Sequence, residues 1–195
     1  MLKQLCAGFF AILDNGGGFR TDFLRSFCSE ERMSLEQDLA KIALQEKTLR
    51  FEKFDEGTAW EVGCRLKAAA EKRSAVLAID ITFGGRTVFA CAMAGTSPNN
   101  ANWLRRKRNT VQHFHRSSYG LGRQLERDKA DLFGKFGLSL SDYAVHGGSF
   151  PIRVLGTGVV GAVTVSGLPQ REDHKVVVEV LADFLQKPMA DLSLD

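Results

Sequence analysis

The chain has 195 residues, of which 44% are hydrophobic and 25% are charged, and its formal net charge is +3. This composition fits one globular domain with a sizeable core and excludes a wholly disordered chain. No apolar run reaches the roughly 18 residues that a membrane span needs. The four cysteines show neither CxxC spacing nor histidine partners, which predicts no zinc site, no disulfide framework and a cytoplasmic location.

The first 32 residues do not share the pattern of the rest. Lys3 and the apolar run 5–13 suggest a secretory signal peptide, but no small-x-small cleavage site follows the run. We therefore interpret residues 1–32 as a poorly ordered extension. Ser34-Leu35-Glu36-Gln37 reads as a capping box, so Met33-Ser34 is predicted to begin the first helix and the folded domain.

The next elements follow from apolar spacing. Two helices are predicted, one from Ser34 and one capped by Asp55, with a short strand at residues 49–54 between them. Two further strands, 76–82 and 87–93, are joined by Gly84-Gly85, which has the backbone freedom that a two-residue hairpin turn requires. These two strands are therefore predicted to be antiparallel.

The second half continues with helices and another hairpin. The predicted elements are a helix at 99–115, a glycine-interrupted helix at 117–127, a loop with helical turns at 132–143, strands at 151–155 and 159–165, and a closing helix at 170–187 ended by Pro188. Together the elements predict a single α/β domain. Its mostly antiparallel sheet would have about five strands flanked by helices.

The run from Gly156 to Gly161 matches the dinucleotide fingerprint GxGxxG. That fingerprint binds a pyrophosphate only when a helix follows, because the helix N-terminus receives the phosphate. Strand-forming residues follow here, so we interpret these glycines as part of the hairpin.

Positive charge is concentrated in residues 101–130, a segment that contains eight Lys or Arg and only two acidic residues. This surplus of six leaves the remainder of the chain with a net charge of −3, and it predicts an anionic partner. Arg105 to Arg108 fan around their helix, but Arg105 and Arg108 share one side and are predicted to bind ligand carboxylates. The alternative is a solvated face or a subunit contact. Trp103 is the only aromatic residue that accompanies this basic run, and this scarcity argues against nucleic-acid binding.

Histidine, hydroxyl and glycine residues supply the other candidates. His146-Gly147-Gly148-Ser149 offers backbone donors that could hold an anion beside a switchable His146, or it forms a tight turn. Ser149 lacks the surroundings of a hydrolase nucleophile. His113 and His115 are two apart, so they cannot ligate one metal together, but one could be an axial ligand to haem iron. Ser118 and Tyr119 form either a pocket wall or a helix junction.

The last third of the chain resembles a known family. The residues that carry the resemblance are Gly147, Gly148, Phe150, Pro151 and Ile152, the strand Gly161–Gly167 with the pattern Gly-Ala-x-x-Val-Ser-Gly, and Asp173. They resemble the GlcG / HbpS / PduO-C-terminal group, often labelled the heme-degrading domain, and in particular its small stand-alone branch. The resemblance implies profilin/GlcG-like layers for residues 33–187, with 188–195 as a tail. It also implies a homo-oligomer, and haem as the candidate cofactor.

These observations predict an oligomeric protein that binds a small anionic or tetrapyrrole-like molecule between the basic helix and the glycine-rich loops. The predicted ligand-binding residues are Trp103, Arg105, Arg108, His113, Ser118, Tyr119, His146, Gly147, Gly148, Ser149 and Asp173. One alternative is a non-catalytic homo-oligomeric scaffold that binds protein partners. A third is an enzyme that degrades haem or acts on a small acid.

Overall fold

The structure is a computed structural model that describes the backbone of residues 18–194 and the side chains of residues 33–194. The chain divides into two units, Met1–Ser34 and Leu35–Asp195, and the sheet, the core and the clefts described below lie in the second. The predicted extension, residues 1–32, lies outside the residues whose side chains are described. Among the described residues no helix is long and apolar enough to cross a membrane.

Seven helices or helical turns and four strands occur in the described chain. In order they are α1 (Gly18–Thr48), α2 (Glu56–Lys72), β1 (Ala78–Phe83), β2 (Arg86–Ala92), α3 (Pro98–Phe114), α4 (Ser118–Arg127), α5 (Leu132–Phe136), β3 (Ser149–Val154), β4 (Gly158–Ser166), α6 (Gln170–Phe184) and a 3₁₀ turn (Met189–Asp191).

The four strands form one antiparallel sheet in the order β2-β1-β4-β3. Gly84 and Gly85 take φ values of 58° and 79°, the left-handed conformation that the predicted hairpin turn requires. The α/β class and the mostly antiparallel sheet are thus confirmed.

The sheet has four strands instead of about five. Within the predicted strand 49–54, only Phe51 pairs, through an isolated parallel bridge to Val154. Its N–H donates to the carbonyl of Arg153 at 2.8 Å and its carbonyl accepts from Leu155 at 2.9 Å. Asp55 then caps α2, so the chain turns away before a ladder can extend.

The first helix does not begin at Ser34. Helix α1 runs without interruption from Gly18 through the predicted capping box to Thr48. Ser34, Glu36 and Gln37 are exposed, so these polar residues are compatible with a helix interior. Residues 19–33 contain neither Gly nor Pro that would end the helix before Ser34.

The two faces of the sheet differ in chemistry because successive strand residues point to opposite sides. Ile79, Ile81, Val163 and Val165 belong to one apolar core cluster with residues of α2 and α6. Asp80, Thr82, Ser149, Thr164 and Ser166 alternate with these apolar residues and are buried as well. Helix α3 lies on this polar side, where Arg108 reaches Asp80 and Gln112 reaches Thr82.

Candidate functional site

A cleft of about 260 Å³ lies where the first half of α3 faces the connection from β4 to α6. Its walls are polar apart from Trp103 and Leu168. The lining residues are Asn99, Asn100, Trp103, Lys107, His146, Ser166, Gly167, Leu168, Gln170 and Asp173.

Lys107 reaches the cleft from the buried side of α3. Ser97 and Asn100 form a capping box that starts the helix, with Pro98 in its first turn. Leu104, Lys107 and Val111 follow at spacings of three and four residues, and all three are buried. A lysine therefore occupies a position where the helix faces the sheet, and its side chain is directed into the interior.

The ammonium group of Lys107 forms a buried ion pair with Asp173 in the first turn of α6. Nζ lies 2.8 Å from Oδ2 of Asp173, and the two side chains are only 4% and 2% exposed. Nζ also donates to the carbonyl of Val165 at 3.1 Å. The second carboxylate oxygen, Oδ1, accepts the N–H of Leu168 at 2.9 Å. The pair thus ties α3, β4 and α6 together at the base of the cleft.

Burial changes the proton affinity of both partners. It lowers the pKa of the Lys107 amine and raises the pKa of the Asp173 carboxyl, and in each case burial outweighs the attraction of the partner's charge. Both shifts favour the neutral forms. The neutral amine and the neutral carboxyl are therefore less disfavoured here than they would be at the protein surface.

Two glycines allow the loop before β3 to pack against this pair. A Cβ atom on Gly147 would lie 1.9 Å from the carbonyl oxygen of Gln170, and one on Gly148 would lie 2.9 Å from Nζ of Lys107. Gly148 also has a φ of 114°, which side chains disfavour. The loop is therefore a buried turn that positions the ion pair, and His146 is its exposed residue.

His146 presents its ring at the mouth of the cleft. The ring meets the indole of Trp103 edge-on, with centroids 4.8 Å apart and planes at 70°. The guanidinium of Arg106 lies over the same indole, 4.5 Å from its centroid. Partial burial and the positive charges of Lys107 and Arg106 lower the pKa of His146 below its usual 6.5. The imidazole is therefore mainly neutral at pH 7 and can accept a proton.

A smaller cleft of about 180 Å³ adjoins the first, because His146 and Gln170 line both. Its other walls include Tyr119, Arg123 and Glu126. Arg123 pairs with Glu126 at 2.7 Å and with Asp38 of α1 at 3.2 Å. This second cleft is lined by ion-paired side chains.

The predicted site residues fall into separate groups in the structure. Trp103, His146 and Asp173 meet at the main cleft, and Tyr119 lines the adjoining one. Gly147, Gly148 and Ser149 are buried behind the cleft, where Ser149 accepts a hydrogen bond from Ser118 and donates one to it.

Three other predicted residues point elsewhere. Arg105 pairs with Asp142 at 3.0 Å, and Arg108 pairs with Asp80 at 2.8 Å, so the two diverge. His113 packs against Phe114 and Tyr143 and lines neither cleft.

Sequence reasoning missed Arg106 and Lys107, the two middle residues of the basic run. The spacing of Leu104, Lys107 and Val111 carried a usable signal, because it places the lysine on the apolar face of the helix. Within the described part of the chain, no group of three His, Cys, Asp or Glu side chains could hold a metal ion.

Comparison with known proteins gives a consistent set of similarities. A family described as "Haem degrading protein HbpS-like" matches residues 54–182. A UPF0303 protein of Azotobacter vinelandii is 50% identical over 163 residues, which are 84% of this chain and 98% of the relative.

Two solved structures share the fold. The Ybr137w protein matches with a TM-score of 0.71 and 27% identity, over 76% of this chain and 87% of that one. The PduOC:Heme complex matches with a TM-score of 0.56 and 14% identity, over 64% of this chain and 89% of that one.

Proposed function

The chain belongs to the HbpS-like family of haem-degrading proteins, and from this premise we propose that it binds a small anionic organic molecule in the cleft of Lys107 and His146. The observation that carries the proposal is the cluster of three ionisable groups in one cleft, each with a displaced pKa. Those groups are Lys107, Asp173 and His146. Such clusters are typical of sites that handle ligands or protons.

The balance of charge favours an anion. Lys107 and Asp173 neutralise each other, whereas Arg106 adds a positive charge next to His146. The Nε atom of Arg106 is buried and has no hydrogen-bond partner among the described residues. The first turn of α6 begins at Gln170 with no side-chain cap, and the partial positive charge of its N–H groups is offset in part by Glu172 and Asp173 in the same turn.

An enclosed haem does not fit these residues. A haem needs an axial ligand and apolar walls along its macrocycle. His146 could supply the ligand, but only Trp103 and Leu168 are apolar among the lining residues. The volume of about 260 Å³ is also below the ~300–1,000 Å³ of most sites for drug-sized ligands. The geometry therefore supports a small polar ligand better than a buried tetrapyrrole.

The test is a ligand screen on the purified full chain. We expect one or more small carboxylates to raise the melting temperature, and hemin to give no saturable Soret band. Arg106→Ala should weaken binding by about 1 kcal/mol or more, the scale of a charged hydrogen bond. Lys129→Ala, at an exposed position outside the cleft, is the matched control and should change little. A stoichiometric Soret band without carboxylate binding would contradict the proposal.

The second candidate is a homo-oligomeric scaffold. Several large apolar side chains are exposed, among them Trp60 at 65% and Phe133 at 71%. Exposed aromatic side chains of this kind favour a contact with another protein surface. Light scattering at micromolar concentration tests this candidate, because a monomer in solution would contradict self-association.

A further inference from the structure

Binding an anion requires only positive charge and hydrogen-bond donors. The groups around Lys107 go beyond this, because they combine a desolvated amine, a proton acceptor and a second base. The amine nitrogen is held by two acceptors, Asp173 and Val165. An ammonium group carries three N–H donors, so these two contacts leave one donor over, and Lys107 lines the cleft. His146 lines the same cleft, close enough for the charge of Lys107 to affect its proton affinity.

We propose that Lys107 is a nucleophile that forms an imine with a small carbonyl compound bearing a carboxylate, such as a 2-oxo acid. This inference rests on the proposed anion-binding function and adds the reactive group of the ligand. Lysines that form imines are characteristically desolvated or placed beside another cation. Lys107 meets the first condition, because it is 3% exposed.

The reaction balances with groups already in the cleft. Asp173 accepts a proton from the Lys107 ammonium, and the nitrogen lone pair forms a bond to the carbonyl carbon. The carbonyl π electrons move to the oxygen, and His146 transfers a proton from nitrogen to that oxygen to give a carbinolamine. Asp173 then returns its proton to the hydroxyl group, the C–O bond breaks, and water leaves. One ammonium and one carbonyl yield one protonated imine and one water.

The surrounding groups suit such a ligand. The side-chain amides of Asn99, Asn100 and Gln170 line the cleft and can donate hydrogen bonds to a carboxylate. Trp103 closes one wall, so the remainder of a small acid has an apolar surface to contact. The volume of about 260 Å³ admits a short-chain acid and limits the size of its substituent.

The experiment traps the imine in the wild-type full chain. Protein is incubated at pH 7 with pyruvate and sodium cyanoborohydride, and the reduced adduct is located by peptide mass mapping. We expect one main adduct at Lys107, roughly tenfold above that at the 85% exposed Lys53, because the cleft would hold the carbonyl compound next to Lys107 and Lys53 does not line it. Lys107→Arg, which keeps the positive charge, should lose the adduct. Lys129→Arg should retain it.

Lactate is the control that separates imine formation from the proposed anion binding. It carries the same carboxylate as pyruvate but has a hydroxyl group in place of the carbonyl, so it can bind without forming an imine. If pyruvate and lactate both raise the melting temperature but Lys107 stays unlabelled, the imine is excluded and anion binding stands. If neither acid binds and label appears only on exposed lysines, both proposals fail. Mapping on the wild-type chain decides between these results even if a Lys107 variant folds poorly.

Discussion

Lys107 and Asp173 lie 66 positions apart in the chain and join their charged groups at 2.8 Å, almost fully removed from solvent. Two buried charges stabilise a fold only while each retains its partner, because a lone buried charge costs several kcal/mol. The pair therefore makes the start of α6 dependent on a single residue of α3.

The first prediction follows from that dependence. Lys107→Met keeps the volume of the side chain but leaves Asp173 unpaired, so the free energy of unfolding should fall by about 3 kcal/mol. Asp173→Asn should cost a similar amount, and the double variant should cost less than the sum of the two. Urea unfolding measures all three. Additive losses would show that the two side chains do not stabilise one another.

The second prediction concerns pH and ligand binding. The pKa of His146 is lowered by partial burial and by the charges of Lys107 and Arg106. A bound anion opposes these effects and raises that pKa, so binding takes up a proton. The affinity for the small carboxylate that binds most tightly in the ligand screen should therefore increase as pH falls from 7 toward 5, while that ligand itself stays ionised.

Calorimetry of the wild-type chain and of His146→Gln measures this effect. The variant keeps a polar side chain but cannot titrate, so its affinity should stay level over the same range. The other charged groups around His146 are Lys107 and Arg106 on α3, Asp173 on α6, and Arg123 and Glu126 on α4, which lines the adjoining cleft. An identical pH dependence in both proteins would assign the proton to one of these other groups.

The third prediction concerns His174, which is fully buried and has its pKa lowered by burial to about 3. Its Nε2 lies 2.8 Å from Oε1 of Gln45, whose amide donates to the carbonyl of Leu192. Oε1 can only accept, so Nε2 carries the proton. Nδ1 then remains buried, without a proton and without a partner among the described residues.

Between pH 6.5 and about 3 the unfolded chain binds a proton at His174 that the folded chain does not bind. The free energy of unfolding should therefore decrease as pH falls through this window, by about 1.4 kcal/mol per pH unit. Urea unfolding at several pH values should show this slope in the wild-type chain and a shallower slope in His174→Gln. Parallel curves would mean that His174 is protonated in the folded state.

The fourth prediction concerns the N-terminal region. We predict that residues 1–32 add little to stability, so a chain beginning at Met33 should keep its melting temperature within a few degrees. Removing residues 1–48 instead deletes Asp38 and Gln45, which bind Arg171 and His174 of α6. That longer truncation should unfold the domain. Equal losses for the two truncations would show that the first 32 residues stabilise the fold.

The strands and hairpins could be predicted because local chemistry decides them. Gly84 and Gly85 tolerate a backbone that other residues avoid, and alternation of apolar residues marks β1 and β4. The start of α1 could not be predicted in the same way. A capping box and an ordinary helical stretch have similar composition, so Ser34 gave no reliable boundary.

The site was predicted only in part, for a physical reason. Three of the predicted residues, Trp103, His146 and Asp173, line one cleft, and their role in binding stays a prediction. Within the basic run, the prediction chose Arg105 and Arg108, whereas the spacing of Leu104, Lys107 and Val111 places Lys107 on the buried face of α3. Lys107 is buried through a partner 66 residues away, and spacing along one helix does not reveal such a partner.

The sheet order carries a consequence for how the protein is made. Central strand β1 pairs with β4, joining Ala78 to Ser166 and Phe83 to Gly161. The ribosome adds about 5–20 residues per second, so the β1–β2 hairpin waits on the order of ten seconds for its second neighbour. Throughout that interval one edge of β1 is unpaired, and Ile79 and Ile81 lack part of the apolar contacts that bury them in the folded protein. An unpaired strand edge of this kind promotes aggregation. This exposure during translation ends only when the last third of the chain has emerged and β4 can pair with β1.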